Sequence, residues 1–316
     1  MSEKLKVYFL GAGDIAVPVL ERIYGSDRIE LVGIGTQPDR PAGRKKQLVP
    51  TPVGAWCAEN GAECDKPVSV NDPEYLAHLK ELAPDFILVV SFGQLLREEI
   101  IALPKISCVN IHASLLPQFR GASPIMAALL NRCEKTGVTF MQIDKGLDTG
   151  PVYTMFEHLI SDTEKCDELE RNLGELGAEH CVDVLYRIAS GELKEVPQDD
   201  EKSSYTGKVK KSDGVIDWSL PAEDIIARVR AYYPWPGATF KIEKKKGPVV
   251  IRITDAELVD ASGRPGEVLT ADKKEWIISC GEKAVRINKL VPQGKKEMSG
   301  AEFLRGAQIP VGTVLG

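Results

Sequence analysis

Apolar residues in the first two thirds of the chain fall into short runs separated by amphipathic stretches, the pattern of strands alternating with helices. Residues 6–10 read as a strand, 14–24 as a helix, 29–36 as a second strand and 51–60 as a second helix. Farther on, helical stretches at 74–82, 97–102 and 123–131 precede apolar runs at 86–90, 108–111 and 138–143. Such alternation predicts an α/β fold, a Rossmann-like and mostly parallel sheet with helices on both faces. Residues 167–189 carry a long amphipathic period that closes this domain, giving it the span 1–189. The polar run 197–204 reads as the centre of a linker over 190–207. Beyond it, over 208–316, short β-rich runs at 239–242, 249–256, 266–269, 276–279 and 284–290 predict a small β-barrel.

Charge divides along the same line. Residues 1–207 hold 21 Lys+Arg against 32 Asp+Glu, whereas residues 208–316 hold 19 against 14. A net-positive portion on an acidic chain is what a surface facing phosphates would look like, and equally what an ordinary solvated face would look like. Seven cysteines form an odd set without a C-x-x-C pair, which points away from a disulfide framework or a structural zinc site. No apolar stretch approaches the ~18–20 residues of a membrane helix, so a cytoplasmic protein is expected.

The chemistry concentrates where the run at 108–111 enters a Pro/Gly loop. Asn110 and His112 stand two residues apart, so on a strand they share a face and point past its carboxyl end, where open α/β sheets bind ligands. A second loop, Gly146-Leu147-Asp148-Thr149-Gly150-Pro151, offers a carboxylate. An amide donor, a base near neutrality and a carboxylate suit transfer of a small carbonyl group to an amine. Asn110 would donate to the developing oxyanion, His112 would handle the amine's proton, and Asp148 would favour the charged imidazole or hold its tautomer. The same residues could instead be a turn cap and a satisfied core histidine. Cys108 lies on the same apolar run, where it is a candidate nucleophile or a packing residue.

Two further features bear on function. Gly11-Ala12-Gly13-Asp14-Ile15-Ala16 satisfies the G-x-G-x-x-A pattern of nicotinamide dehydrogenases, yet the second strand ends at Gly35-Thr36-Gln37 without the ribose-binding acid. The loop at 38–46 is basic and rich in Pro and Gly. Its Arg40, Arg44, Lys45 and Lys46 could track phosphates, or simply face water. A non-catalytic RNA-binding protein is a third alternative, and it would predict a disrupted Asn110, His112 and Asp148 set.

The run from Asn110 through SLLPQFRGASPI, followed by GLDTGP, resembles the 10-formyltetrahydrofolate-dependent formyltransferases, and among them those that act on methionyl-tRNA. TQPDRPAGRKKQLVPTPV (36–53), SFGQLL (91–96), IDWS (216–219), YYPWPGA (232–238) and VPQGKKEMSGAEFLRG (291–306) extend the likeness in order over nearly the whole chain. The 36–53 run and the C-terminal segments are the specific ones, since NxH and LDTG alone would admit any folate formyltransferase. The resemblance implies formyl transfer from 10-formyltetrahydrofolate to the α-amine of methionine on initiator tRNA, for translation initiation, by a metal-free monomer. It implies catalytic roles for Asn110, His112 and Asp148. It implies folate contacts at Ser114, Leu115, Leu116, Pro117, Val89, Phe92, Gly93, Leu95 and Asp144, with tRNA contacts at Arg40, Arg44, Lys45 and Lys46. It also implies an OB-like form for the C-terminal barrel, which would bind tRNA. Arg97, where a proline is expected, and Lys145 depart from the pattern without touching the three central residues.

Overall fold

The computed structural model describes residues 4–42, 47–243, 247–307 and 309–315. Its elements begin with β1 Leu5–Gly11, α1 Ala16–Tyr24, β2 Ile29–Gly35, β3 Arg40–Ala42, β4 Gln47–Val49, α2 Pro52–Asn60 and α3 Pro73–Leu82. There follow β5 Phe86–Val90, α4 Glu98–Ile101, β6 Ser107–His112, β7 Arg120–Gly121, α5 Pro124–Leu130, β8 Lys135–Gln142, β9 Val152–Leu159 and α6 Cys166–Ala189. The remainder comprises β10 Tyr205–Thr206, α7 Ala222–Ala231, β11 Ala238–Ile242, β12 Val249–Val259, β13 Val268–Ala271, β14 Trp276–Ser279, β15 Ala284–Pro292, β16 Met298–Ser299 and α8 Gly300–Gly306. The chain forms two compact units, one of residues 1–124, 135–159 and 169–206, the other of 125–134, 160–168 and 207–316.

The first unit is built on a six-stranded sheet in the order β2-β1-β5-β6-β8-β9. Strands β2, β1, β5 and β6 are parallel. Strand β8 runs antiparallel to both β6 and β9, so the predicted parallel sheet acquires an antiparallel margin. The side chains of β5 are buried throughout, as the continuous apolar run Phe86-Ile-Leu-Val-Val90 requires of a strand covered on both faces. Helix α1 turns Ala16, Val19, Leu20 and Ile23 inward at helical spacing. Helix α2 starts where Thr51 Oγ1 accepts the Gly54 N–H at 2.9 Å and Pro52 presets the first turn.

The first turn serves packing. A Cβ at Gly11 would press on the Phe9 ring and on Ala16 Cβ at 3.0 Å, so glycine is what lets β1 and α1 close up. Asp39, the first acid beyond β2, is paired with Lys66 Nζ at 2.7 Å. Neither feature calls for a dinucleotide.

The second unit is an antiparallel sheet, β11-β12-β15-β14-β13 with β16 beside β15, curled into a half-barrel. Register breaks along the eleven-residue β12, on either side of Asp255, bend it. The concave side encloses Trp276, Ile251, Ile278, Val285 and Leu290, and Ile225 and Val229 of α7 pack on the same cluster. Strand β9 and helices α7 and α8 are elements that sequence patterning did not anticipate. Within the segment expected as a linker, Val196 is bridged to Val152 and β10 is paired with β7.

Gly150 is the tightest backbone approach beside the candidate site, because a Cβ there would fall against the Gln142 carbonyl oxygen. Backbone meets backbone, so no side chain can swing away. Gly150→Ala should lower the stability of the first unit by about 1–3 kcal/mol, the usual cost of overpacking, read as a shift of the urea midpoint. An unchanged midpoint would show that the loop yields freely.

Candidate active site

Strand β6 sets the geometry. Its parallel register with β5 places Asn110 opposite Val89, and its antiparallel register with β8 places Asn110 opposite Met141 and His112 opposite Thr139. Asn110 and His112 therefore lie on one face of one strand, as their spacing predicts. The Asn110 amide is half-buried and makes no hydrogen bond to any described residue. His112 is buried, its Nε2 lying 3.0 Å from the Phe119 carbonyl oxygen and its Nδ1 3.7 Å from Asp148 Oδ2.

These contacts assign the imidazole tautomer. A carbonyl oxygen can only accept, so Nε2 carries the hydrogen in the neutral ring. Nδ1 is then a lone pair on the side of the Asp148 carboxylate. The 3.7 Å separation is too long for a hydrogen bond.

Asp148 is held in place from several sides. Its φ of 54° lies in the left-handed region, uncommon for a residue with a side chain. Its Oδ2 accepts the Gly121 N–H at 2.8 Å, and its own carbonyl accepts from Gln198 Nε2 at 2.9 Å. Arg120, next to Gly121, is 1 % exposed and donates to Gln198 Oε1, Tyr205 Oη and Asp200 Oδ1. Burial works against its charge, and the bonds to Asp200 and Tyr205 outweigh that, holding the guanidinium pKa above its ordinary value. Sequence reading assigned neither Arg120 nor Gln198. Arg120 lay inside a quoted motif, whereas Gln198 sat in a polar stretch with no local signal.

The residues expected to contact folate divide by orientation. Ser114 is fully buried, and its hydroxyl donates to the Gln118 carbonyl at 2.6 Å. Leu116 packs with Met141 and Val152 beneath the site. Leu115 and Pro117 are half-buried. Thr139 ties this turn down, donating to the Ser114 carbonyl at 2.6 Å and accepting the Leu116 N–H at 3.1 Å. Val89 and Phe92 are buried, and the backbone turns after β5 through positive φ at Ser91 and Gly93. Asp144 spends its carboxylate inside its own loop, accepting from Gly146 N and from Thr149 Oγ1.

Leu95 stands apart from this group. It is exposed and lines a cleft of about 530 Å³ with Pro38, Arg40, Val68, Ser69, Asn71 and Gln94. An expected folate wall and the first of the expected tRNA contacts thus share one cleft. Gln37 links them, donating to the Phe92 carbonyl at 2.5 Å and accepting from Arg40 Nη2 at 2.6 Å. Arg40 itself sits on the exposed β3–β4 hairpin, while Arg44, Lys45 and Lys46 lie outside the described residues. Lys145 pairs with Glu98 at 2.9 Å. Cys108 is buried and its thiol is pushed well up by burial, so it packs and does not react. Among the described residues no group of His, Cys, Asp and Glu is arranged to hold a metal ion, and no helix is long and apolar enough to cross a membrane.

Comparison with known proteins gives this geometry its context. Residues 5–185 match the formyl transferase family and residues 208–308 match the formyl transferase C-terminal domain. The methionyl-tRNA formyltransferase of Geobacter metallireducens is 39% identical over 99% of this chain and 99% of its own length. That of Aromatoleum aromaticum is 40% identical over 98% of this chain and 96% of its own. Among solved structures, the N-formyltransferase of Helicobacter canadensis in complex with folinic acid and dTDP-3-aminofucose shares the fold, with a TM-score of 0.64 at 17% identity, covering 93% of this chain and all of that one. With both halves matched in order and full-length relatives well above 30% identity, the chain belongs to the formyl transferase family, on the branch of the methionyl-tRNA formyltransferases.

Proposed function

We propose that the chain carries out formyl transfer from 10-formyltetrahydrofolate to the α-amino group of methionine on initiator tRNA with Asn110, His112 and Asp148 as its working groups. The observation that carries this reading is the half-buried Asn110 amide, left without a protein partner on the same strand face as His112, whose Nδ1 looks toward Asp148. A half-buried amide with no protein partner, beside a histidine and a carboxylate, is free to donate to a ligand's oxygen.

In this reading the amine attacks the formyl carbon and the carbonyl oxygen becomes negative. Asn110 Nδ2–H donates to that oxyanion, from a position fixed before reaction. His112 takes the proton that the amine must lose, holding it at Nδ1 opposite Asp148. Collapse breaks the bond from the formyl carbon to N10, and the same proton passes to that departing nitrogen. The new amide and tetrahydrofolate leave with atoms and charge balanced. No acyl-enzyme is required.

The donor is proposed to sit against Val89, Phe92, Gly93 and Leu95 on one side and the 114–117 turn on the other. Ser114, Leu116 and Asp144 would act there by shaping the turn and the 144–149 loop, since their side chains are already engaged within the protein. Leu115 and Pro117 would supply apolar contact. Arg40, Arg44, Lys45 and Lys46 are proposed to meet tRNA phosphates together with the net-positive residues 208–316, the domain read as binding tRNA beyond the 190–207 linker and the catalytic domain of 1–189. A cytoplasmic monomer is the working form of this reading.

The direct test is incubation with 10-formyltetrahydrofolate and charged initiator tRNA, followed by ester hydrolysis. Formylmethionine is expected, and its absence with both substrates saturating would reject the reading. Asn110→Ala should lower the single-turnover rate by about two to three orders of magnitude, the size expected for one oxyanion donor, with donor affinity nearly unchanged. A rate within a few-fold of the parent would remove Asn110 from the chemistry.

RNA binding is separable from chemistry by salt. Removing one cation that meets a phosphate should flatten the dependence of log(kcat/KM) on log[salt] by about one unit. Arg40→Ala combined with Arg44→Ala should therefore start lower than the parent and fall less steeply, while folate analogues still raise the melting temperature. Identical curves for parent and variant would make the hairpin an ordinary solvated loop.

A further inference from the structure

The Gln198 side chain joins two features otherwise far apart in sequence. Its Oε1 accepts from Arg120 Nε at 3.1 Å and from Arg120 Nη2 at 2.9 Å. Its Nε2 donates to the carbonyl oxygens of Asp148 at 2.9 Å and Gly150 at 2.7 Å. A primary amide has two N–H groups and two oxygen lone pairs, and here all four are engaged. The reverse orientation would set its oxygen against two carbonyl oxygens and its N–H groups against a guanidinium, so the orientation is forced.

The consequence falls on Asp148. Its φ of 54° is unfavourable for a residue with a side chain and persists only where the surroundings over-determine it. Two restraints act on it. Gly121 N–H holds the carboxylate at 2.8 Å and Gln198 holds the main chain on both sides of Thr149. Both trace to adjacent residues of β7, because Arg120 orients Gln198 and Gly121 binds Asp148 directly. Without Gln198 the carbonyls of 148 and 150 lose their donor and the loop is free to turn the carboxylate away from His112.

We propose that Gln198 is a positioning residue for formyl transfer, acting through Asp148, with Arg120 as the group that fixes the Gln198 amide. This rests on the reading of His112 and Asp148 as a working pair. Gln198 does not touch the reacting atoms. It acts by keeping the Asp148 carboxylate within range of His112 Nδ1.

Two variants separate the contributions. Gln198→Met keeps the length and removes every hydrogen bond of the amide. Gln198→Glu keeps an acceptor for Arg120, so the buried guanidinium stays paired, and removes both donors to the loop. Single-turnover rates, KM for donor and tRNA, and urea midpoints are measured for each, alone and with Asp148→Ala. Both variants should fall about 10- to 100-fold in rate, as small misplacements of working groups do, with KM within about two-fold. In the Asp148→Ala background neither should cause a further fall, because there is no carboxylate left to position.

A merely structural role would give a different pattern, with rate effects that multiply in both backgrounds and track the fall in midpoint. That pattern, or parent-like rates in the single variants alongside a slow Asp148→Ala, overturns the proposal and leaves the His112–Asp148 reading standing. A parent-like rate in Asp148→Ala itself overturns that reading instead. Should Gln198→Met fail to fold, Gln198→Glu alone decides through the same cycle.

Discussion

A buried guanidinium organises the floor of the candidate site. Arg120 cannot shed its charge, and leaving such a charge unpaired away from water costs several kcal/mol. All its side-chain acceptors come from one stretch, namely Gln198, Asp200 and Tyr205. That stretch is thereby drawn along the first unit. Its arrival lets Ser204 accept the Arg120 N–H at 2.8 Å and places β10 beside β7. A polar segment that could have been a tether becomes a wall. The same fork that satisfies the arginine turns the Gln198 donors toward the loop carrying Asp148.

The sheet supplies the complementary constraint. Because β8 is antiparallel to β6, Thr139 comes opposite His112 and reaches the turn just beyond it, bonding to Ser114 and Leu116. The residues after β6 are thus tied back to its neighbour, with Leu116 anchored on Met141 and Val152. Asn110 is left as the polar group of β6 that the protein does not use. Its side-chain amide stays accessible, so an oxygen brought in by a ligand can take the place of water there.

Much of this was legible in the sequence, and the gaps have physical causes. The strand bearing Asn110 and His112 and strand β14 follow from runs of apolar residues bounded by turns, since burial on both faces leaves a strong local signature, and the long α6 follows from its amphipathic period. The direction of β8 was not legible, because side-chain periodicity does not distinguish parallel from antiparallel neighbours. Strand β9 was missed because it is an edge strand whose exposed positions include the apolar Met155 and Leu159, so hydrophobicity does not follow exposure along it. Helix α7 carries acids in its first turn and arginines in its last, a dipole-matched pattern that apolar periodicity alone overlooks. The role of Gln198 had no local trace, since its partner Arg120 is 78 residues away and its own neighbours are polar. Likewise the inward turn of Ser114 and Leu116 depends on Thr139 and Met141, which lie on another strand.

The geometry also bears on whether the proposed transfer passes through an enzyme-bound formyl group. Ser114 and Cys108 are the nucleophile types closest in sequence to His112. The Ser114 hydroxyl is fully buried and already donates to Gln118, on the far side of a turn that Thr139 locks. Cys108 lies inside the sheet with its thiol pushed up by burial, so it has no thiolate to offer near neutrality. His112 holds its Nε2 hydrogen on the Phe119 carbonyl and leaves only Nδ1 free for a proton, on the side of the Asp148 carboxylate. A base so placed is suited to accept a proton from an incoming amine, and an unpartnered amide on the same strand face is suited to the oxygen that turns negative. Both groups would suit the direct attack proposed, and neither nucleophile has the freedom that a two-step path would demand.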